Sequence, residues 1–215
     1  MKLELQPHSL GNFLIDHRKK HLKHLSAYFG DYTVCIPSEG ARDWSGYAGR
    51  FFEHYSALAA PTTIDGSDLA ALACLSVDVD HRLAASVASL QLRFQECFGR
   101  LADFSRDTRT WDVDESHFIE GAPLHDLWNL LVSIDGVKTT KASKLMASKF
   151  PHLLPVIDKK VRDLVHAPNG YWIGWNRVLK TEVKSILEDL HTTSGLSSEV
   201  SLLRTADVCL WMWDR

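Results

Sequence analysis

Cysteine is scarce and scattered. Cys35, Cys74, Cys97 and Cys209 are the only four in 215 residues, and no two stand as C-x-x-C. That spacing excludes a disulfide framework and a four-thiolate cluster, so no iron–sulfur centre is expected. The thiols read as reduced, buried and inert. No apolar run approaches the ~20 residues of a bilayer-spanning helix, so no membrane partner is expected. No secretory leader is recognisable, which makes the cytoplasm the expected location. No segment alternates apolar and polar residues with the period of a strand, and nothing repeats. Proline is held to seven positions, all at breaks between helical patterns. Neither sign of charge dominates: 24 Lys and Arg stand against 27 Asp and Glu, for a net charge of −3.

What is present is helical periodicity. The hydrophobic and charged fractions, 45% and 24%, are those of an ordinary soluble globular protein. The length suits one domain, or one domain of two lobes. The expected class is all-α, with about nine or ten helices.

Residues 9–29 read as one amphipathic helix closed by Gly30, with Leu10, Phe13, Leu14, Leu25 and Tyr28 sharing a face. Arg18, Lys19, Lys20 and Lys23 lie mostly opposite, as a solvated face or a surface for DNA phosphates. His17, His21 and His24 fall within about 60° of one another. That spacing fits a metal or a packed helix seam, but no carboxylate or cysteine joins them in sequence, and no metal is assigned. Residues 31–41 read as a loop with a short extended piece at 32–36. Trp44, Tyr47, Phe51, Tyr55 and Leu58 then recur with helical period, as a core stripe or a base-stacking platform.

Asp65, Gly66, Ser67 and Asp68 open a helix that runs to Leu75. Another pattern continues to Phe104 with a break near Leu90, and the acidic residues 107–120 read as turns. Further on, Trp175, Val178, Leu179, Val183, Ile186 and Leu190 form a long helix closed by Gly195. Ser197 caps the last helix, with Val200, Leu203, Ala206, Leu210 and Trp213 inward. Asp207 sits in that apolar run and needs a partner: Arg204 at i−3, a distant arginine such as Arg50, or a place in a pocket.

The most informative stretch is 123–165. Leu124, Leu127, Trp128, Leu131 and Ile134 mark one helix face. Asp135, Gly136, Val137 and Lys138 follow as a tight turn, with Gly136 the natural site of a positive φ. Thr139 or Thr140 caps a second helix, with Ala142, Leu145, Met146 and Phe150 on its apolar side. Pro151 and Pro155 stop it, and Asp158 stands where an N-cap belongs. A helix, a hairpin and a helix present free N–H groups and a helix dipole to an anion. From Gly136 to Val165 seven cations (Lys138, Lys141, Lys144, Lys149, Lys159, Lys160 and Arg162) stand against two anions. The stretch is a basic exception in a slightly acidic chain.

The run from Ile134-Asp135-Gly136-Val137 to Ile157-Asp158-Lys159-Lys160-Val161-Arg162 resembles the signature of the helix-hairpin-helix DNA glycosylases, over roughly a fifth of the chain. The chain as a whole is most similar to a largely actinobacterial family of uncharacterised proteins, which shares the Lys-Leu-Met/Leu-Ala…Pro-Val-x-Asp run and the Leu-Trp-Met ending. The glycosylase resemblance implies two helical lobes flanking a cleft. One lobe would span about 1–60 plus 168–215, the other about 64–167, with the hairpin unit at 124–149. It implies a monofunctional DNA glycosylase acting on double-stranded DNA, in repair or against modified phage DNA, with no cofactor.

Under that resemblance Asp158 is the catalytic carboxylate, although a plain N-cap explains it as well. Gly136, Val137, Lys138, Thr139, Thr140, Lys141 and Lys144 would grip the DNA backbone. Trp128, Trp172, Trp175, Tyr171, His17 and His21 are candidates for the base pocket. Two departures stand out. Lys138 replaces the family's second hairpin glycine, and Thr140 occupies the place of the Schiff-base lysine of bifunctional members, with Lys141 one residue on. A DNA-binding module without chemistry is the alternative, and a metal enzyme built on the three histidines is a third.

Overall fold

The computed structural model describes residues 2–30, 47–168 and 170–214. The sequence readings at 31–41, Cys35 and Trp44 lie outside them. The described residues are mostly helical, with almost no strand. The helices are α1 (Pro7–Asp16), α2 (Arg18–Phe29), α3 (Phe52–Leu58), α4 (Gly66–Cys74), α5 (His81–Ser89), α6 (Gln91–Gly99), α7 (Pro123–Val132), α8 (Thr139–Lys149), α9 (Lys159–Leu164), α10 (Tyr171–Val178), α11 (Val183–Thr193) and α12 (Leu202–Trp211). None of them is long and apolar enough to cross a membrane.

Apolar side chains gather in two main clusters. Leu72, Leu83, Phe94, Leu124, Leu127 and Leu145 represent the first, built by α4 to α8. Leu14, Leu25, Val178, Leu187, Leu203 and Leu210 represent the second, built by α1, α2 and α10 to α12. A small patch of Phe52, Ala71, Ala147 and Val156 lies apart from both. Val161 and Val165 pack into the second cluster, and Trp172 into the first. The chain therefore crosses between the two cores at α9 and again at α10.

Several elements differ from the sequence reading, each for a local reason. The helix over 9–29 is two helices, parted at His17 (φ −113°, ψ 19°). The break lets the His17 ring lie 4.5 Å from that of Trp213. The long helix from Trp175 divides into α10 and α11. Between them the Thr181 hydroxyl donates to the Val178 carbonyl at 2.7 Å and accepts from the Val183 N–H, which ends one helix and starts the next. The cap of α12 is Ser201, not Ser197: its Oγ accepts from the Arg204 N–H at 3.0 Å. The stripe through Tyr55 and Leu58 points outward, with Leu58 62% exposed, while Phe52, Glu53 and Ser56 are buried. A 3-10 turn over Ala48–Phe51 shifts the phase, and Glu53 is drawn inward to Arg204. Leu3–Glu4 and Val165–His166 form a parallel two-residue pair, too short to show a strand period.

Helix α8 runs through the middle. Ala142 to Lys149 are all buried, so it has no solvent face after its first turn. Lys149 Nζ lies 2.5 Å from the fully buried Asp68 and donates to the Ala60 carbonyl. Asp68 also accepts from the Ser148 hydroxyl and from the Asp65 N–H, in a capping box that starts α4. Two charges without water hold α4 and α8 together. Removing one partner strands the other. Lys149→Met is expected to cost about 3–5 kcal/mol in urea unfolding, and adding Asp68→Asn to recover part of that loss.

Two of the three histidines, His17 and His21, pack on the rings of Phe13 and Trp213. His21 is fully buried, 5.0 Å from the Phe13 ring, and neither ring nitrogen has a hydrogen bond of good geometry among the described residues. Among the described residues no three His, Cys, Asp or Glu are grouped to hold a metal. Burial pushes the His21 imidazole down to about 4. The fold favours the neutral ring, so its contribution is complete above the unfolded value of about 6.5 and is lost as pH falls toward 4. Stability is expected to drop by about 3 kcal/mol across that window on this account. His21→Met should remove that part of the loss in denaturation followed against pH.

Candidate functional site

The turn between α7 and α8 is built on Gly136, whose φ is +74°. The Val137 N–H donates to the Ile134 carbonyl at 3.0 Å, and the Val137 side chain is buried. Val137 therefore closes the turn and offers no N–H to a phosphate, contrary to its place in the expected grip. Lys138 occupies the N-cap of α8 in an extended conformation (φ −109°, ψ −179°). A lysine in place of the second glycine thus carries no left-handed strain. Neither Thr139 nor Thr140 caps α8, which has no side-chain cap at all. The first-turn N–H groups are left for water or an anion.

The seven cations do not share one surface. Lys138 is exposed and Lys141 half-buried, but Lys144 and Lys149 point inward. Lys144 was expected at the DNA backbone. Its Nζ instead donates to the Leu75 carbonyl at 2.9 Å and to Asp158 Oδ2 at 3.2 Å. It lies on the buried side of α8, one turn beyond Thr140. Lys159 pairs with Asp163 on the surface.

Asp158 caps α9: its Oδ1 accepts from the Lys160 N–H at 2.9 Å. The same carboxylate lines a cleft of about 220 Å³. One wall belongs to the hairpin side, with Leu75, Ser76, Thr140, Lys144 and Val156. The other carries Tyr28, Tyr47, Arg204, Asp207 and Trp211 from the second core. The Tyr28 and Tyr47 rings stack at 5.1 Å, and Trp211 stands edge-on to both. Ser76, on the rim, holds a positive φ of 57°, unusual for a residue other than glycine. The cleft thus joins a charged floor to aromatic walls.

Beneath the aromatic wall lies a buried ionic knot. Arg204 donates to Glu53 Oε1 at 3.0 Å, to Asp207 Oδ2, to the Tyr28 hydroxyl at 2.6 Å and to the Gly49 carbonyl at 3.1 Å. The i−3 arginine expected for Asp207 is therefore its partner, and Asp207 also lines the cleft. Desolvation favours the neutral forms of Glu53 and Asp207 and pushes both carboxyls up, against the pull of Arg204. Arg204 is held firmly charged: its burial is outweighed by Tyr28 and the two carboxylates. Glu53 Oε2 and Asp207 Oδ1 are enclosed and have no hydrogen-bond partner among the described residues.

The remaining candidates scatter. Trp128 and Trp172 come together edge-on at 5.5 Å and line a separate, open, apolar groove of about 280 Å³ with Thr139, Arg162 and Tyr171. Trp175 is buried in the second core and reaches neither hollow. His17 and His21 pack on Phe13 and Trp213 and do not line the cleft. Their place as base-pocket residues is withdrawn, because the apolar face they share is turned into the second core. Tyr28, Trp211 and Glu53 were not foreseen in the site. Tyr47, in the stripe read as core or as a base-stacking platform, and Asp207, a charge inside an apolar run, carried a signal.

The fold and site define an all-α protein with a polar, aromatic-walled cleft between two hydrophobic cores. The chain belongs to DUF6308, a family of unknown function whose profile matches residues 21–214. No curated protein and no solved structure matches it.

Two glycines separate strain from crowding. A Cβ on Gly136 would meet nothing within 4 Å, so Gly136→Ala is expected to cost only the left-handed penalty of about 1–2 kcal/mol. A Cβ on Gly49 would stand 1.9 Å from the Tyr28 hydroxyl. Gly49→Ala should therefore cost more, about 2–3 kcal/mol, by pushing Tyr28 off Arg204. Urea titration of the two variants checks the order.

Proposed function

We propose that the protein is a monofunctional DNA glycosylase that hydrolyses the bond between sugar and base after a damaged or modified base has swung out of the duplex. One observation carries the reading: Asp158 and Thr140 line the same cleft. The carboxylate and the first turn of the hairpin's second helix thus converge on one hollow. A DNA backbone held at that turn would pass the mouth of the cleft. The cleft is smaller than the ~300 Å³ at which pockets for drug-sized ligands begin, which suits a single base. Its tyrosine and tryptophan walls suit a flat ring.

Breaking the bond builds positive charge on the sugar, and a fixed carboxylate near C1′ stabilises it. Asp158 is fixed at both oxygens, by the Lys160 N–H and by Lys144. Those contacts use two of its roughly four acceptor sites. Thr140 supplies no amine for a Schiff base. Lys144, which does reach the cleft, is engaged as a donor at both the Leu75 carbonyl and Asp158. Lys141, the other amine near that turn, is not among the residues lining the cleft, and this arrangement supports hydrolysis without strand cleavage.

A second reading, a DNA-binding module without chemistry, draws on the same ion pair. If Lys144 keeps Asp158 occupied at 3.2 Å, the carboxylate is a structural clasp. Duplexes carrying lesion or hypermodified bases, incubated with the protein and then cleaved with alkali at abasic sites, distinguish the two. Asp158→Asn is expected to lower abasic product by about 10²–10³-fold, with duplex affinity little changed. Undiminished product in that variant would overturn the assignment. Salt-sensitive binding with no product on any substrate would favour the module.

A further inference from the structure

We infer that the open groove walled by Trp128 and Trp172 is a second nucleotide site, which holds an unpaired, undamaged base of the DNA strand together with its phosphate. The inference rests on the glycosylase reading for the identity of the strand, but the groove's own chemistry selects an aromatic ring that carries an anion. Its rings are fixed before any ligand arrives. Trp172 packs into the first core and is only 7% exposed. Trp128 meets it edge-on at 5.5 Å, and the His125 ring lies 4.9 Å from it. The His125 Nε2–H donates to the Phe118 carbonyl at 3.1 Å, and the Tyr171 hydroxyl donates to the Val165 carbonyl at 2.9 Å. Rings held in this way lose little freedom when a flat ligand stacks on them.

The groove carries charge of one sign. Arg162 lines it, and no carboxylate does. Arg162 makes no ion pair among the described residues, and its neighbour Asp163 is held by Lys159. The Trp172 indole N–H finds no acceptor among the described residues either, and it is not one of the enclosed unpaired polar atoms. A nearly buried donor and an unpaired guanidinium therefore line the same apolar hollow. A hydrocarbon occupant would strip water from both and offer them nothing. A base has ring nitrogens and carbonyl oxygens for the indole, a flat face for the aromatic walls, and a phosphate for the arginine.

Placement ties the groove to the strand. Neighbouring residues wall the two hollows at two points in the chain. Thr139 lines the groove and Thr140 the cleft; Ile157 lines the groove and Asp158 the cleft. The hollows thus stand back to back across one ridge, made by the first turn of α8 and the approach to α9. Arg162 lies one turn beyond Asp158, so α9 serves the groove as its cap serves the cleft. A strand that crosses the ridge with one base in the cleft carries a neighbouring base to the groove. Inside a duplex the faces of that base are already stacked, so only an unpaired base can lie on the indoles.

Fluorine NMR and binding titrations with a short single-stranded oligothymidylate test this. The whole protein is labelled with fluorotryptophan, and the resonances are assigned from single Trp→Phe variants. The oligonucleotide should shift the Trp128 and Trp172 resonances. In fluorescence anisotropy Trp128→Ala should weaken its binding by about 5- to 100-fold. Arg162→Ala, a change at an exposed position, should reduce the slope of log affinity against log salt by about 0.7. Thermal melts verify that both variants are folded. A strand of the same length made of abasic sugars should bind the wild type more weakly than the thymidylate. Absence of binding, an abasic strand bound as tightly as the thymidylate, or a shift at Trp211 with Trp128 and Trp172 unmoved overturns the inference. A larger shift with an acidic tryptophan-containing peptide gives the groove to a protein partner and overturns it too. If Trp128 and Trp172 respond yet no lesion duplex is cleaved, the glycosylase reading falls and the nucleotide site stands. If lesions are cleaved while both resonances stay still, the nucleotide site falls alone.

Discussion

A guanidinium removed from water must find every partner within the protein. Arg204 finds them on four segments: Glu53 of α3, Tyr28 of α2, the Gly49 carbonyl of the 3-10 turn, and Asp207 of its own helix. The hydrophobic clusters give the chain its bulk, but apolar contact is indifferent to register. The arginine is not. Its fork fixes where α3 and α2 meet α12, because a misplaced segment would leave a buried charge or hydroxyl unpaired. Gly49 must be glycine for the same reason, since a methyl there would occupy the space of the Tyr28 hydroxyl. The aromatic wall of the cleft is the outer surface of this knot.

Helix α8 carries the opposite wall by a related device. Its two inward lysines each meet a carboxylate at the start of another helix, Asp68 near the start of α4 and Asp158 at the cap of α9. The pairs are chemically alike and differ in access. Asp68 is sealed, and its remaining oxygen is taken by Ser148. Asp158 retains contact with a hollow. The first pair can only hold helices together. The second holds helices together and also presents a carboxylate to whatever enters, which is why it and not Asp68 anchors the proposed chemistry.

Much of this was readable in the chain. Gly136, Asp158 and the apolar face of α7 follow from periodicity, turn chemistry and capping, all of which act over a few residues. The break near Leu90 and the Arg204–Asp207 pair were legible for the same reason. What escaped was non-local or shifted by one residue. Glu53 was hidden because its partner is 151 positions away. Lys144 and Lys149 looked like surface charge, since nothing local says that a lysine-bearing helix will be surrounded. The stripe through Tyr55 failed because a single 3-10 turn rotates every later side chain. His21 read as a possible ligand because spacing alone cannot tell a metal site from a seam packed against Phe13 and Trp213.

The first turn of α8 ties these parts together. Thr139 lines the apolar groove and Thr140 the polar cleft. Neighbours on a helix diverge by about 100°, so two adjacent residues can wall two separate hollows. The exposed N-terminus of α8, with Lys138 at its cap, lies between them. An anion seated there would be flanked on one side by Asp158, Asp207 and the tyrosines, and on the other by Trp128, Trp172 and Arg162. Under the proposed function this geometry puts the phosphate grip next to the catalytic hollow through one residue of helix, with no intervening loop to blur the distance. Under that same proposal the uncapped turn is the part of the protein on which substrate placement would depend, and a lysine in extended backbone would serve there where a glycine was expected.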